Sequence, residues 1–94
     1  MRVISRRTLR EYWATRADSE EPLKTWFVVA AKAKWRNVVE LQATYASAEA
    51  VGGYTVFNIK GNTYRLITKI EYRLQIIFIK CVLTHAEYDK DKWK

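Results

Sequence analysis

Three strand-like segments follow one another between Gly52 and Asp89 with only short turns between them, and a chain carrying such a run must build a sheet. Val56, Phe57 and Ile59 lead into Lys60-Gly61-Asn62, a turn signal, and Tyr64 to Ile70 then alternate polar and apolar residues, so the two segments read as a hairpin. A second turn over Tyr72 to Leu74 precedes Ile76, Ile77, Phe78, Ile79, Cys81, Val82 and Leu83. That near-continuous apolar run suits a central strand covered on both faces. Period-two alternation puts Arg65, Ile67 and Lys69 on one side of their strand and Tyr64, Leu66, Thr68 and Ile70 on the other. The second set is expected to meet helices, and the first to line a basic open face.

The helices come from the upstream half. Arg2 to Ile4 can form a short strand, after which Ser5 stands where it can cap a helix running to about Arg16. Leu9, Tyr12 and Trp13 make its inner stripe. Arg6, Arg7, Arg10 and Arg16 lie outside, either as a solvated face or as a phosphate-contacting one. Asp18 and Glu21 have capping-box spacing, and Pro22 is tolerated in a first turn, so a second helix is expected to start there. Leu23, Trp26, Phe27, Ala30, Ala31 and Lys34 follow helical spacing along it. Near its end Trp35 sits among Lys32, Lys34 and Arg36, a pattern that either stacks a base between cations or plugs a core. Asn37 can cap a third helix with Val38, Leu41 and Tyr45 inward, and Ser47 can open one further turn before Gly52-Gly53 resets the backbone. The expected fold class is α+β: N-terminal helices on one face of a mainly antiparallel sheet, with a short C-terminal helical turn.

At 94 residues, about half of them apolar, the chain can bury one core, so residues 1–94 are expected to form a single domain. A net charge of +7 favours an anionic partner, most often nucleic acid. One cysteine excludes a disulfide framework, and with one histidine there is no ligand set for a structural zinc. No apolar stretch approaches the roughly 20 residues that span a bilayer, and the opening MRVISRRTLRE lacks a signal-peptide core. The expected setting is the cytoplasm, with no membrane partner.

Few residues are left to carry chemistry. Ser5, Ser19 and Ser47 stand where helices need caps, which argues against a serine triad with His85. Cys81 lies in an apolar strand, where a thiol behaves as a small hydrophobe. No glycine loop of the phosphate-cradling type is present, and no organic cofactor is implied. The terminal segment Thr84-His85-Ala86-Glu87-Tyr88-Asp89-Lys90 remains. Thr84 and Glu87 have capping-box spacing, so the last strand is expected to pass straight into a helical turn with His85 and Tyr88 on one face. Lys80, Arg65 and Lys69 lie on the same and the neighbouring strand. Such a set suits metal-free RNA cleavage. A base takes the proton of a ribose 2′-hydroxyl, cations offset charge on the phosphate, and an acid protonates the departing 5′-oxygen.

Val56-Phe57-Asn58-Ile59-Lys60-Gly61-Asn62-Thr63-Tyr64-Arg65-Leu66, the terminal Thr84-His85-Ala86-Glu87-Tyr88-Asp89-Lys90 and the opening Val3-Ile4-Ser5-Arg6 with Leu9 and Arg10 closely resemble the HigB-type toxins of bacterial toxin-antitoxin pairs. The resemblance extends over nearly the whole chain, including Trp26, Trp35 and Gly52-Gly53. It implies the RelE-like fold, in which N-terminal helices pack on an antiparallel sheet. It also implies an mRNA interferase acting on messages in translation, and a cognate helix-turn-helix antitoxin of the HigA type that neutralises it. Carried over by position, it points to Arg65, His85 and Tyr88 as catalytic, with Asn62 and Lys80 near the site and Glu87 and Asp89 shaping the terminal turn. Position 86 is Ala where relatives often carry Lys, so no phosphate contact is expected there. Lys32, Lys34, Arg36, Lys60, Asn62, Lys69 and Lys80 form the expected RNA-binding set. The resemblance leaves open whether His85 or Tyr88 takes the 2′-proton. A non-catalytic RNA-binding or regulatory module on the same fold is the alternative.

Overall fold

The structure, a computed structural model, describes residues 1–94. In chain order the elements are β1 (Arg2–Ile4), α1 (Arg6–Thr15), a 3-10 turn (Ala17–Ser19), α2 (Glu20–Lys32), α3 (Val38–Thr44), β2 (Glu49–Val51), β3 (Tyr54–Ile59), β4 (Tyr64–Glu71), β5 (Ile76–Thr84) and α4 (His85–Asp89). The strands form one five-stranded sheet in the order β1-β5-β4-β3-β2. All neighbours are antiparallel except β1 and β5, which are parallel. The α+β architecture read from the sequence is therefore present, and it is compatible with a RelE-like fold. No helix is long and apolar enough to cross a membrane.

The core lies between the helices and one face of the sheet. Leu9 of α1, Leu23, Trp26 and Ala30 of α2 and Leu41 of α3 meet Phe57, Ile59, Leu66, Ile77 and Val82 there. Trp26 packs edge-on against Phe57 at 5.3 Å, and Trp35 lies over the same ring, so Trp35 plugs the core. Fully burying each large apolar side chain contributes roughly 1.5–3 kcal/mol, which is why these few residues anchor the helical layer. Ile77 and Ile79 both turn to this side. Phe78, between them, is more than a third exposed, so β5 is covered on both faces only in its second half.

Several local expectations are corrected. Ser5 precedes α1 in an extended conformation but makes no side-chain cap. Asp18 and Glu21 form no capping box, because Asp18 is drawn into long-range bonds with Lys60 (2.8 Å) and Tyr64 (2.5 Å). The second helix starts after the 3-10 turn, at Glu20, and it stops at Lys32, leaving Lys34 outside. The Met1 amino group meets its terminal carbonyls, donating to Ala30 (3.1 Å) and Ala31 (3.0 Å). Ala31 itself is exposed. Beyond Ser47 no helical turn forms. Glu49–Val51 instead make β2, a short edge strand joined to β3 through Gly52 and Gly53, both at positive φ. By contrast Asn37 caps α3 as expected, its Oδ1 accepting from the Glu40 amide at 2.9 Å.

The second face of the sheet is not open where the sequence suggested. Arg65 and Ile67 are buried there, together with Val56 and Trp93. Two local features account for this. The Thr84 hydroxyl accepts from the Glu87 amide at 3.2 Å while the Glu87 carboxylate accepts from the Thr84 amide at 2.8 Å, so the expected capping box turns β5 directly into α4. Asp91 then adopts φ 57°, a left-handed conformation that Asp tolerates, and the chain folds back over the sheet as far as Trp93. A bulge in β5 between the Ile67 and Thr68 pairs inserts Lys80 as an extra residue, which keeps Ile79 and Val82 on the helix side while Cys81 and Leu83 face the other.

Candidate active site

Arg65 is held at the start of β4, beside the turn that carries Asn62. Its Nη1 donates to the Asn62 carbonyl (3.1 Å) and its Nη2 to the Asn62 side-chain oxygen (2.5 Å). These bonds explain how an arginine with only 8% of its surface exposed is tolerated. Nη2 also lies 3.2 Å from His85 Nδ1, and the guanidinium carbon stands 5.3 Å from the centre of the Tyr88 ring. Asn62 with Arg65 and His85 with Tyr88, two local pairs brought together by the pairing of β4 with β5, thus converge at one end of the sheet.

His85 is placed by the β5-to-α4 junction, where its amide donates to the Thr63 carbonyl at 3.0 Å. Its Nε2 lies 3.0 Å from Asp89, one helical turn on. Its Nδ1 faces both the Arg65 guanidinium and the Asn62 carbonyl at 3.3 Å, two partners that ask for opposite tautomers. A guanidinium only donates, so the shorter contact assigns Nδ1 as acceptor and directs Nε2–H to Asp89. Both ring nitrogens are therefore occupied within the protein.

Tyr88 reaches across the sheet to the edge strand, its hydroxyl donating to Glu49 at 3.2 Å. Burial, followed by the nearby Glu49 carboxylate, raises its pKa above the ordinary phenol value. The side chain is a neutral phenol at physiological pH, with its proton aimed at a carboxylate. Glu87 is held below the ordinary carboxylate range by the bond it accepts from the Thr84 amide, so it stays ionised as a cap and is no proton donor. Burial pushes the Cys81 thiol up, which leaves it a poor nucleophile.

The remaining expected residues divide by position. Lys80 donates to the Tyr54 hydroxyl at 3.2 Å and lies over its ring, on the same face of the sheet as Arg65. Lys69 shares that face further along β4 and is exposed. Lys60 is instead engaged by Asp18. Its partner is explained by the turn at Lys60, whose φ of 53° swings the side chain toward the 3-10 turn. The Asp18 carboxylate is drawn below its ordinary pKa by the Lys60 bond first and the Tyr64 bond second, and Tyr64 is pushed up to about 12. Lys32, Lys34 and Arg36 lie apart from the cluster. Gln75, in the turn just before β5, donates to the Trp35 carbonyl at 2.8 Å, whereas Arg65 pairs with Leu83 near the strand's other end. At about 3.3 Å per residue those ends are roughly 25 Å apart. Arg36 is further committed to Glu40 at 2.9 Å.

A family model described as HigB_toxin, RelE-like toxic component of a toxin-antitoxin system, matches residues 19–91. The chain belongs to the HigB toxin family. The match spans Asn62, Arg65, His85 and Tyr88, so the converging side chains all lie inside the HigB-family region. Membership in a toxin-antitoxin family implies an antitoxin partner. A search of curated proteins returns no match.

Three contributors to this cluster were not assigned to it from sequence. Asp89 could have been found there, since it stands one helical turn after His85 in a segment already read as helical. Glu49 had no local signal, because only the pairing of β2 with β3 and the reach of α4 bring it to Tyr88. Trp93 reads from sequence as one more core aromatic, and its partners are set by the return of the chain after Asp91.

Proposed function

We propose that this HigB-family toxin is an mRNA interferase, an endoribonuclease that cleaves message on translating ribosomes by metal-free attack of a ribose 2′-hydroxyl. The observation that carries the reading is the convergence of Arg65, His85 and Tyr88 around Asn62. In this reaction the 2′-oxygen bonds to phosphorus as its proton leaves to a base, and the P–O5′ bond breaks as the departing oxygen takes a proton. The products are a 2′,3′-cyclic phosphate and a 5′-hydroxyl. Arg65 offsets charge on the phosphate oxygens. Four contacts already engage its two terminal nitrogens, so a substrate phosphate competes with Asn62 for the fork. His85 and Tyr88 divide the proton transfers. Tyr88 keeps lone pairs on its oxygen for a 2′-hydroxyl while its own proton faces Glu49; His85, held between Asp89 and Arg65, must exchange a partner before it meets substrate. A non-catalytic RNA-binding module is the weaker reading, because Trp93 is buried against Tyr88 rather than displayed as a free stacking surface.

The cytoplasm is the proposed setting and a HigA-like helix-turn-helix protein the proposed antitoxin. Expression of the toxin alone is expected to arrest growth and to shorten messages, and co-expression with that antitoxin to restore growth. Normal growth at verified expression of folded toxin would instead support the non-catalytic module.

RNA positioning gives a second test. Lys69 and Lys80 share the Arg65 face, so replacing either with Ala is expected to lower the salt slope of binding to a short RNA by about one unit or less. Lys32→Ala, Lys34→Ala and Arg36→Ala, near the far end of β5 roughly 25 Å away, are expected to leave that slope unchanged and to reduce it only on whole ribosomes. Lys60→Ala is expected to act weakly, since Asp18 already neutralises it. Salt titrations by fluorescence anisotropy and by ribosome pelleting separate the two sets, and equal slopes for all six variants on both targets would leave these cations a solvated face.

A further inference from the structure

We propose that Trp93 is a positioning residue that clamps Tyr88 over the site, so that the segment following α4 acts as a strap on the reaction centre. The inference rests on the endoribonuclease reading for its catalytic consequence, and on geometry alone for the clamp. The Trp93 indole stacks on the Tyr88 ring with centroids 5.1 Å apart and planes 18° from parallel. Its Nε1–H donates to the Tyr88 carbonyl at 3.1 Å. The Arg65 guanidinium lies over the same Tyr88 ring, so this ring is gripped by two groups while its hydroxyl is drawn to Glu49. Trp93 is itself pinned: it is nearly buried, it packs on Val56 and Ile67, and it meets Tyr54 edge-on at 5.9 Å.

Without the strap, Tyr88 would be held only by the Arg65 guanidinium, its bond to Glu49 and the capping box that starts α4. α4 is only five residues long, too short to be stable by itself in water, and none of its residues is fully buried. The strap also closes one wall of a cleft of about 340 Å³ lined by Leu83, Glu87, Lys90, Lys92 and Trp93, next to the Arg65–Leu83 pair. Trp93 stands outside the residues 19–91 that match the family, so membership assigns it no role.

The test compares Trp93→Leu, which removes the stacking and the Nε1–H, with Trp93→Phe, which keeps a stacking ring. Val82→Ala, in the core on the opposite face of the sheet, serves as a control for general destabilisation. Two readouts are taken on each protein: the ring signals and titration of Tyr88 by NMR without RNA, and the single-turnover cleavage rate on saturating programmed ribosomes. Trp93→Leu is expected to move the titration of Tyr88 downward toward an ordinary phenol, as burial is lost; its ring shifts change with the lost indole ring current in any case. It should also slow cleavage at least about tenfold at unchanged ribosome affinity, since misplacement of a catalytic group by an ångström can cost about a hundredfold. Trp93→Phe should recover most of the rate, and Val82→Ala should show neither change at equal or greater loss of melting temperature. An unmoved Tyr88 titration in Trp93→Leu overturns the clamp whatever the toxin does to RNA. A moved titration with an unchanged rate overturns the positioning role. If the unaltered toxin cleaves nothing, the endoribonuclease reading fails, and the NMR comparison still decides whether Trp93 holds Tyr88.

Discussion

Arg65→Ala is expected to lower the rate of cleavage of bound message by about 100-fold or more, with a smaller loss of affinity. The reason is the position of the guanidinium, which stands between Asn62, His85 and the Tyr88 ring with little of its surface in water. A cation in such a place is worth more to a phosphate whose charge rises in the transition state than it would be on the surface. Removing it also frees His85 Nδ1 from its donor and leaves the Asn62 oxygen without one, so orientation is lost along with charge. Arg65→Lys restores the charge but offers no fork, and it cannot hold Asn62 and His85 together, so rescue is expected to be partial. Single-turnover rates and equilibrium binding on programmed ribosomes separate the two losses, with a thermal melt to show that each variant is folded. A rate within a few fold of the unaltered protein would end the assignment of Arg65.

His85→Ala and Tyr88→Phe are each expected to cost on the order of 100-fold or more if the group moves a proton in the rate-limiting step. Tyr88→Phe is the cleaner of the two. The ring keeps its stack on Trp93 and its contact with Arg65, and only the hydroxyl bonded to Glu49 is lost. The raised pKa of Tyr88 sets the sign of a pH test. A phenol that passes its proton toward Glu49 as it accepts one from the 2′-hydroxyl needs no ionisation in advance, so the rate should not climb as pH rises toward the ordinary phenol range. A rate that rises steadily with pH in the unaltered protein, and loses that rise in Tyr88→Phe, would instead make the phenolate the base. If both substitutions leave the rate nearly unchanged, the proton transfers belong to other groups.

Much of the architecture is carried by local pattern. Leu9, Leu23, Trp26, Ala30 and Leu41 fall at helical spacing and are buried, because an amphipathic helix has only one way to remove its apolar stripe from water. The turns at Lys60-Gly61-Asn62 and Tyr72 to Leu74, the Asn37 cap and the Thr84–Glu87 box are likewise legible, since each depends on residues within four positions of one another. Arg65 and His85 could be singled out by residue type and by the family motif, and their meeting follows from the pairing of Arg65 with Leu83 two residues before His85.

Tertiary structure decided what faces what. Alternation along β4 separates Arg65, Ile67 and Lys69 from Leu66 and Ile70, yet it cannot say that one end of that face is roofed by α4 and Trp93 while Lys69 stays in water. The roof depends on a left-handed residue at Asp91 and on apolar contacts between residues nearly forty positions apart, neither of which leaves a periodic trace. Asp18 likewise reads as a cap, and only long-range competition from Lys60 and Tyr64 takes it away. Lys32, Lys34 and Arg36 share their charge with Lys80 but not its place, because charge is a property of the residue whereas distance from Arg65 is set by the path of the chain around the sheet.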